Sequence, residues 1–298
     1  MSTQTVKIAG APISWGVCEV PNWGHQMTPE RVLKEMAELG LGATEFGPLG
    51  FLPIEPADRA KVLAEHSMQA VGGFFPIILH DAGFDPLPTV LEELKSYEAS
   101  GAKTLVLSAE IGGAGYDAKR PDLDAAGWQV VFSNLERIKD AAAERGITAV
   151  LHPHVGTMIE TESDVMQILN NTSIQFCLDT GHMIIGGTDP VAFAKNHADR
   201  VSHSHLKDVN LTVANRVQSG EITYYQGILE GMYVPLGEGD VDIRSIVRSL
   251  IQANYQGWFV LEQDNVINAE PGDDAGPFAD AQKSVNFIRA VAAELAAE

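Results

Sequence analysis

The sequence predicts an α/β fold, a (β/α)8 TIM barrel with residues 1–298 in one domain, and three observations predict it. Eight short β-rich runs alternate with helix-period segments along the whole chain. Runs that would be buried on both faces are near-continuously apolar, as in "LVL" at 105–107, "AVL" at 149–151 and "WFVL" at 258–261. The glycine-rich phosphate turn of a doubly wound open sheet is missing, since "GEGD" at 237–240 lies between helical segments instead of after a strand.

The elements follow in order. "VKIAGAP" (6–12) is the first strand, and "TPERVLKEMAELG" (28–40) a helix with Thr28 as N-cap and Gly40 as its stop. "GATEFGP" (42–48) and "QAVGGFFP" (69–76) are the second and third strands, followed by the helix pattern "PTVLEELKSYEASG" (88–101). "KTLVLSA" (103–109) and the helix pattern "AGWQVVFSNLERIKDAAAERG" (126–146) come next. "ITAVLHPH" (147–154), "IQFCLDTGH" (174–182) and "RVSHSHLKD" (200–208) are strands five to seven. A long connection, 208–240, follows strand seven and would overhang the C-terminal mouth, where Tyr224, Tyr225 and Tyr233 either wall a pocket or pack the loop down. The helix pattern of 241–257, strand eight in "GWFVLEQD" (257–264) and a terminal helix over 280–298 complete the chain.

Composition bounds the function. The chain is 45% apolar and 20% charged, without an apolar run long enough to span a bilayer, so no membrane partner is expected. "MSTQTVKIAG" lacks a basic segment followed by an apolar stretch, and the two cysteines, Cys18 and Cys177, give no disulfide framework; both fit the cytoplasm. A formal charge of −20 disfavours a nucleic-acid partner, because phosphates are bound through Lys and Arg, and suits a small neutral substrate.

In barrel enzymes functional groups sit at the C-terminal strand ends. Here strand two ends in Glu45, strand five in His152 and His154, and strand six in Asp179 and His182. Strand seven carries His203, His205, Lys207 and Asp208, and strand eight Glu262 and Asp264. His152, Asp179, His205 and Glu262 come from four consecutive strands. Their mixed nitrogen and oxygen donors, without cysteine, suit Mn2+, Co2+, Fe2+ or Zn2+. A single strand-end histidine is more often hydrogen-bonded structure than a ligand; the convergence of four groups points to metal. His203 reads equally as a supporting group or as packing, and Glu45 equally as a rim carboxylate.

"CLDTGH", "HSHLKD", "PLGEGDVD" and "FVLEQD", in that order, resemble the sugar isomerase/epimerase superfamily with its xylose isomerase-like TIM barrel. "LHPHVGT" with "APISWG" is similar to the inosose dehydratase branch of myo-inositol catabolism, and the resemblance runs from Ala11 to about Asp264. It implies a metal quartet from strands five to eight, usually Glu, Asp, His and Glu. His152 stands at the first Glu, while Asp179, His205 and Glu262 match directly. With one of the two usual glutamates replaced by imidazole, the resemblance favours loss of water from a cyclic polyol ketone over epimerisation by a carboxylate pair. It further implies Mn2+ as the leading metal and association into homo-oligomers.

Such a dehydration needs a Lewis acid on the ketone, a base for the α-hydrogen and an acid for the departing β-hydroxyl. Candidate acids and bases are His154, His182, Glu45, Lys207 and Glu262, with the roles open; Lys207 equally reads as an ion pair with Asp208. Trp15 is the leading aromatic to pack on the substrate ring. The alternatives are a metal-dependent ketose isomerase or epimerase, a nucleic-acid enzyme of the same barrel, and a binding protein with a structural metal.

Overall fold

The computed structural model describes residues 6–112 and 116–298; the leader expectation rests in part on residues 1–5, which lie outside them. The strands are β1 (Ile8–Gly10), β2 (Ala43–Thr44), β3 in two segments (Gln69–Ala70 and Gly72–Ile78), β4 (Thr104–Glu110), β5 (Thr148–Leu151), β6 (Gln175–Asp179), β7 (Val201–Leu206) and β8 (Phe259–Leu261). All neighbours are parallel and follow chain order, and β8 returns to β1 through Ile8↔Phe259, Ala9↔Val260 and Gly10↔Leu261. The eight-stranded TIM barrel expected from the strand runs is therefore present.

Helices surround the sheet: α1 (Pro29–Glu38), α2 (Pro56–Glu65), α3 (Leu87–Ser100), α4 (Ala125–Ala143), α5 (Glu162–Asn171), α6 (Thr180–Ile185), α7 (Pro190–Asn196), α8 (Leu211–Gln218), α9 (Tyr224–Leu229), α10 (Ile243–Gln252) and α11 (Pro277–Ala297). Local chemistry sets their ends. Thr28 accepts from the Arg31 amide at the start of α1, as its sequence predicts, and Thr161 and Asp164 form a reciprocal capping box on α5. In α10 the buried Ile243, Ile246, Val247 and Leu250 recur at helical spacing and turn one face to the sheet. The 208–240 connection is more ordered than a loop: it holds α8, α9 and a hairpin of Asp208–Val209 with Tyr233–Val234.

Strand alternation divides the core into two layers. Leu105, Leu107, Leu151, Phe176, Leu178 and Leu261 face the helices within the large apolar cluster. Their neighbours face inward and are small, in the clusters Val106–Val150–Cys177 and Ala9–Ala43–Val71–Val260. Apolar side chains thus plug the barrel interior and leave its C-terminal end to polar groups.

One seam in the wall opens. β2 pairs only with the first segment of β3, through Ala43↔Gln69 and Thr44↔Ala70. The last bonds across it are Val71 N–H to Thr44 O at 3.0 Å and Phe46 N–H to Gly72 O at 2.9 Å. The second segment then runs beside β4 alone, from Gly72↔Thr104 to Ile78↔Glu110. The crossing point requires glycine, because a Cβ on Gly72 would lie 1.8 Å from Thr104 O.

Candidate metal centre and active site

β7 is the spine of the site. Residues 203, 205 and 207 alternate onto its inner face, so "HSHLK" stacks two imidazoles and an ammonium from the barrel interior toward the mouth. All three are buried, Lys207 with 1% exposure. The neighbouring Thr180 hydroxyl donates to Lys207 O at 2.6 Å and accepts the Lys207 amide at 2.8 Å, tying β6 to β7. Between them a Cβ on Gly181 would lie 2.8 Å from Lys207 Cβ and 2.8 Å from Tyr233 Cε1. "D-T-G" is therefore a packing motif as well as a chemical one.

Asp179 divides its two oxygens. Oδ1 caps α6 by accepting the His182 amide at 2.7 Å. Oδ2 faces the cluster, 3.2 Å from His152 Nε2, 3.6 Å from His205 Nδ1 and 3.8 Å from Lys207 Nζ. Glu262, just past β8, puts Oε2 2.8 Å from His205 Nδ1 and Oε1 2.7 Å from Lys207 Nζ. The four residues expected to hold metal, His152, Asp179, His205 and Glu262, thus meet in one buried cluster.

The donor set fits a divalent cation. His205 Nε2 bonds Glu45 Oε1 at 2.9 Å, which leaves Nδ1 as a lone pair directed at two carboxylates. Nδ1 has no hydrogen bond despite that crowding, and His152 Nδ1 is likewise buried without one. A lone pair among anions is repulsive unless a proton or a cation stands between them. Burial works to lower the His205 pKa, yet the Glu262 and Glu45 carboxylates carry it well above its usual value. Positive charge is what this position demands, and Asp179, His205 and Glu262 offer ligand atoms all within 4.8 Å of one another. Cys177 also lies close to His152 and His205, but burial pushes its thiol up to about 11, so it stays protonated.

Glu45 stands behind the ligands. Its Oε1 is shared by His203 Nε2 at 2.7 Å and His205 Nε2 at 2.9 Å, the carboxylate–histidine arrangement that orients a metal-bound ring. Burial opposes its charge, but His205 and His203 outweigh that and hold the carboxyl well below its usual range. It is an acceptor, ill suited to give up protons. Glu45→Gln is expected to weaken divalent-metal affinity about 10–100-fold, measured by metal titration. Unchanged affinity would remove Glu45 from the metal's support.

His154 and His182 stack with ring centroids 3.6 Å apart. His154 Nδ1 bonds Val155 O at 2.7 Å, so Nδ1 carries the hydrogen and Nε2 keeps its lone pair. Burial, with the His152 and Lys207 charges, lowers its pKa to about 3. His182 lies behind it, Nε2 3.4 Å from Lys207 Nζ, with burial as the main force depressing its pKa. Of the two, only His154 lines the mouth.

One expectation is corrected, that for Trp15, and two open readings are decided. Lys207 does not pair with Asp208. Its ammonium lies 2.6 Å from Asp264 Oδ1, with Glu262 and Asp179 beside it, because adjacent strand residues point to opposite faces. Asp208 instead collects the amides of Val209, Gly237, Gly239 and Val241 at 2.8–3.1 Å, pinning the "PLGEGDV" turn. Trp15 is fully buried in the turn after β1, donates to Glu35 Oε2 at 2.7 Å and does not line the mouth. The aromatic wall is Phe74, 37% exposed, whose ring centroid lies 5.8 Å from His152 and 5.5 Å from His154. Tyr224 and Tyr233 pack the 208–240 segment down: Tyr224 donates to Asp264 Oδ2 at 2.8 Å and its hydroxyl meets that of Tyr233 at 2.8 Å.

The cluster forms one end of a cavity of about 420 Å³ that also takes in Phe74, Tyr116 and Glu19. Glu19 was not among the candidates, although its place after β1 put it at the same mouth. Its side chain is exposed at the rim, but desolvation by the surrounding walls, with the Asp264 and Glu262 charges, raises its pKa.

A family model for the xylose isomerase-like TIM barrel matches residues 30–291. The chain is 30% identical over 297 residues to the inosose dehydratase of Geobacillus thermodenitrificans (strain NG80-2), covering 95% of this chain and 96% of that one. It is 30% identical over 272 residues to the rhizopine catabolism protein MocC of Rhizobium meliloti, covering 88% and 83%. A solved structure of the IolI protein with a bound zinc atom superposes with a TM-score of 0.69 at 12% identity, covering 97% of this chain and 99% of that one, and so shares the fold.

Proposed function

On the premise that the chain belongs to the xylose isomerase-like TIM barrel family, we propose that it is a metal-dependent hydro-lyase removing water from a cyclic polyol ketone of the inosose type. The observation that carries this reading is the His205 Nδ1 lone pair among Asp179, His152 and Glu262, next to a histidine whose free nitrogen faces the cavity. Similarity to an inosose dehydratase over nearly the whole chain supports the substrate class. The zinc in a protein of the same fold supports a divalent ion, with Mn2+ our first choice. We read the whole chain as one catalytic domain acting in the cytoplasm, with homo-oligomers expected.

His152, Asp179, His205 and Glu262 would hold the ion. When bound, it supplies Lewis acidity that draws electrons from the substrate's ketone oxygen and acidifies the α-hydrogen. His154 Nε2 takes that hydrogen as a proton, since Val155 O fixes the tautomer that leaves this nitrogen's lone pair free at the cavity. The electron pair left on the α-carbon forms the new double bond as the β-carbon–oxygen bond breaks. Glu19 protonates the departing hydroxyl, which leaves as water, and the resulting enol tautomerises to a dione. Lys207, fixed by Asp264 and Glu262, donates to a substrate oxygen. Phe74 presents a flat apolar face to the ring.

An inosose incubated with the metal-loaded protein in D2O is expected to lose water and gain a dione absorbance, and chelation to abolish turnover. A product that keeps all its oxygens and carries solvent deuterium would favour the isomerase or epimerase reading instead. Glu19→Gln is expected to lower kcat about 100-fold. An acid must be protonated to act, so wild-type kcat should fall as pH rises through the raised Glu19 pKa, and the variant should lack that limb. Persistence of the limb in the variant would take this role from Glu19.

A further inference from the structure

We propose that the cavity at the open β2–β3 seam is a subsite for an apolar substituent, so that the preferred substrate is a keto-polyol bearing an alkyl or aryl ether in place of the bare ring. This rests on the reading above for the chemistry at the metal end.

The two sides of the cavity differ in character. Toward β5–β8 it is walled by imidazoles, an ammonium and carboxylates. Toward the seam it is walled by Phe46, Leu49, Leu52, Phe75 and Tyr97, with the charged pair Arg59 and Glu93 at its edge. A ring with a hydroxyl on every other carbon gains nothing from such a wall, because a hydroxyl moved against apolar surface loses its hydrogen bonds. The volume, about 420 Å³, also exceeds what one six-membered ring polyol fills.

This side is built into the fold. It exists because β2 stops pairing at Gly72 while β3 continues to Ile78 beside β4 alone. The open edge is capped by Tyr97, whose hydroxyl donates to Gly73 O at 2.8 Å. Arg59 lies over the Phe46 ring at 4.2 Å, with its nitrogens engaged by Pro53 O, Ile54 O and Ser96 Oγ. Its guanidinium closes the space as a flat lid, with each nitrogen donating one hydrogen bond within the protein. Leu49 is 88% exposed although it lines the cavity, and Phe74 stands between this side and the histidines. Apolar surface left to water beside a catalytic cluster is surface a ligand covers. Its continuity with that cluster makes the substrate's own substituent the occupant.

The test uses the full-length protein loaded with Mn2+, assayed on 2-keto-myo-inositol and on its mono-O-methyl and mono-O-benzyl ethers. At least one ether is expected to exceed the parent in kcat/KM by about tenfold. Leu49→Asp, on an exposed side chain that carries little folding risk, and Phe75→Ala should each bring that ratio toward one. Reading a ratio cancels any general loss in the variants. Turnover of the parent with every ether equal or worse would overturn the subsite and leave the dehydratase reading intact, as would a ratio that survives both variants. A dimer that Leu49→Asp dissociates, with the ratio unmoved, would assign the apolar face to a second copy and overturn the subsite too. Turnover of neither parent nor ethers would overturn the functional reading and the subsite with it.

Discussion

Glu262→Gln is expected to lower kcat/KM by about 1,000-fold or more in a protein that still folds. Glutamine keeps the volume and an oxygen for Lys207, but it lacks the charge that a cation requires. Lewis-acid activation contributes several kcal/mol at the transition state, and each 1.36 kcal/mol is a factor of ten. The change should cost some stability, part of it offset by relief of like charge. Burial works to raise the Glu262 pKa, and only the His205 and Lys207 charges bring it down to about 2. Asp179 and Asp264 crowd the same space as like charges. Removing one carboxylate from that crowd relieves repulsion even as it loses attraction. Metal content, turnover and thermal unfolding measured on one preparation decide the matter. Activity within tenfold of wild type would mean that the chemistry does not run through this cluster.

Lys207→Met should act in the opposite sense, on stability before rate. The ammonium is the common neutraliser of Asp264, Glu262 and Asp179 in a place closed to water. Desolvation alone would depress its pKa, yet those three carboxylates hold it well above the usual value. Deleting one partner of a buried ion pair costs about 3–5 kcal/mol, because the remaining charges lose both partner and solvent. For a chain of this size that corresponds to a fall in Tm of roughly 5–8 °C. The loss should be largest after chelation and smaller in metal-loaded protein, where the added cation takes over part of the neutralisation. Equal melting of wild type and variant after chelation would show that Lys207 does not balance the cluster.

The barrel and the membership of the cluster were legible in the sequence for the same reason. Strands buried on both faces leave continuous apolar runs, and a barrel collects its polar side chains where those runs end. His152, Asp179, His205 and Glu262 each stand at such an end, so the topology brings together residues 110 positions apart, from His152 to Glu262. The pairings were less legible. Lys207 and Asp208 are neighbours in sequence but opposed in direction, a point the alternation of strand side chains could have settled. The fate of Trp15 depended on the single 3-10 turn of Pro12–Trp15, which swings the indole onto Glu35 of α1. The seam was invisible because "QAVGGFFP" reads as one strand, and only the close approach of Gly72 to Thr104 breaks it in two.

That seam divides labour along the chain. The proposed ligands of the cation all stand at the ends of β5–β8, in the C-terminal half, whereas the apolar wall comes from residues 46–97, in the N-terminal half. The reactive chemistry and the shape that selects a substrate are therefore encoded in separate stretches of sequence. The connection from β2 to α2, residues 46–55, can vary or lengthen without touching a ligand, so new specificity is open to a lineage that keeps its reaction. Glu45 is where this freedom stops: it sits on the N-terminal side but holds His203 and His205 on the other. A graft that retargets the enzyme has to begin after residue 45.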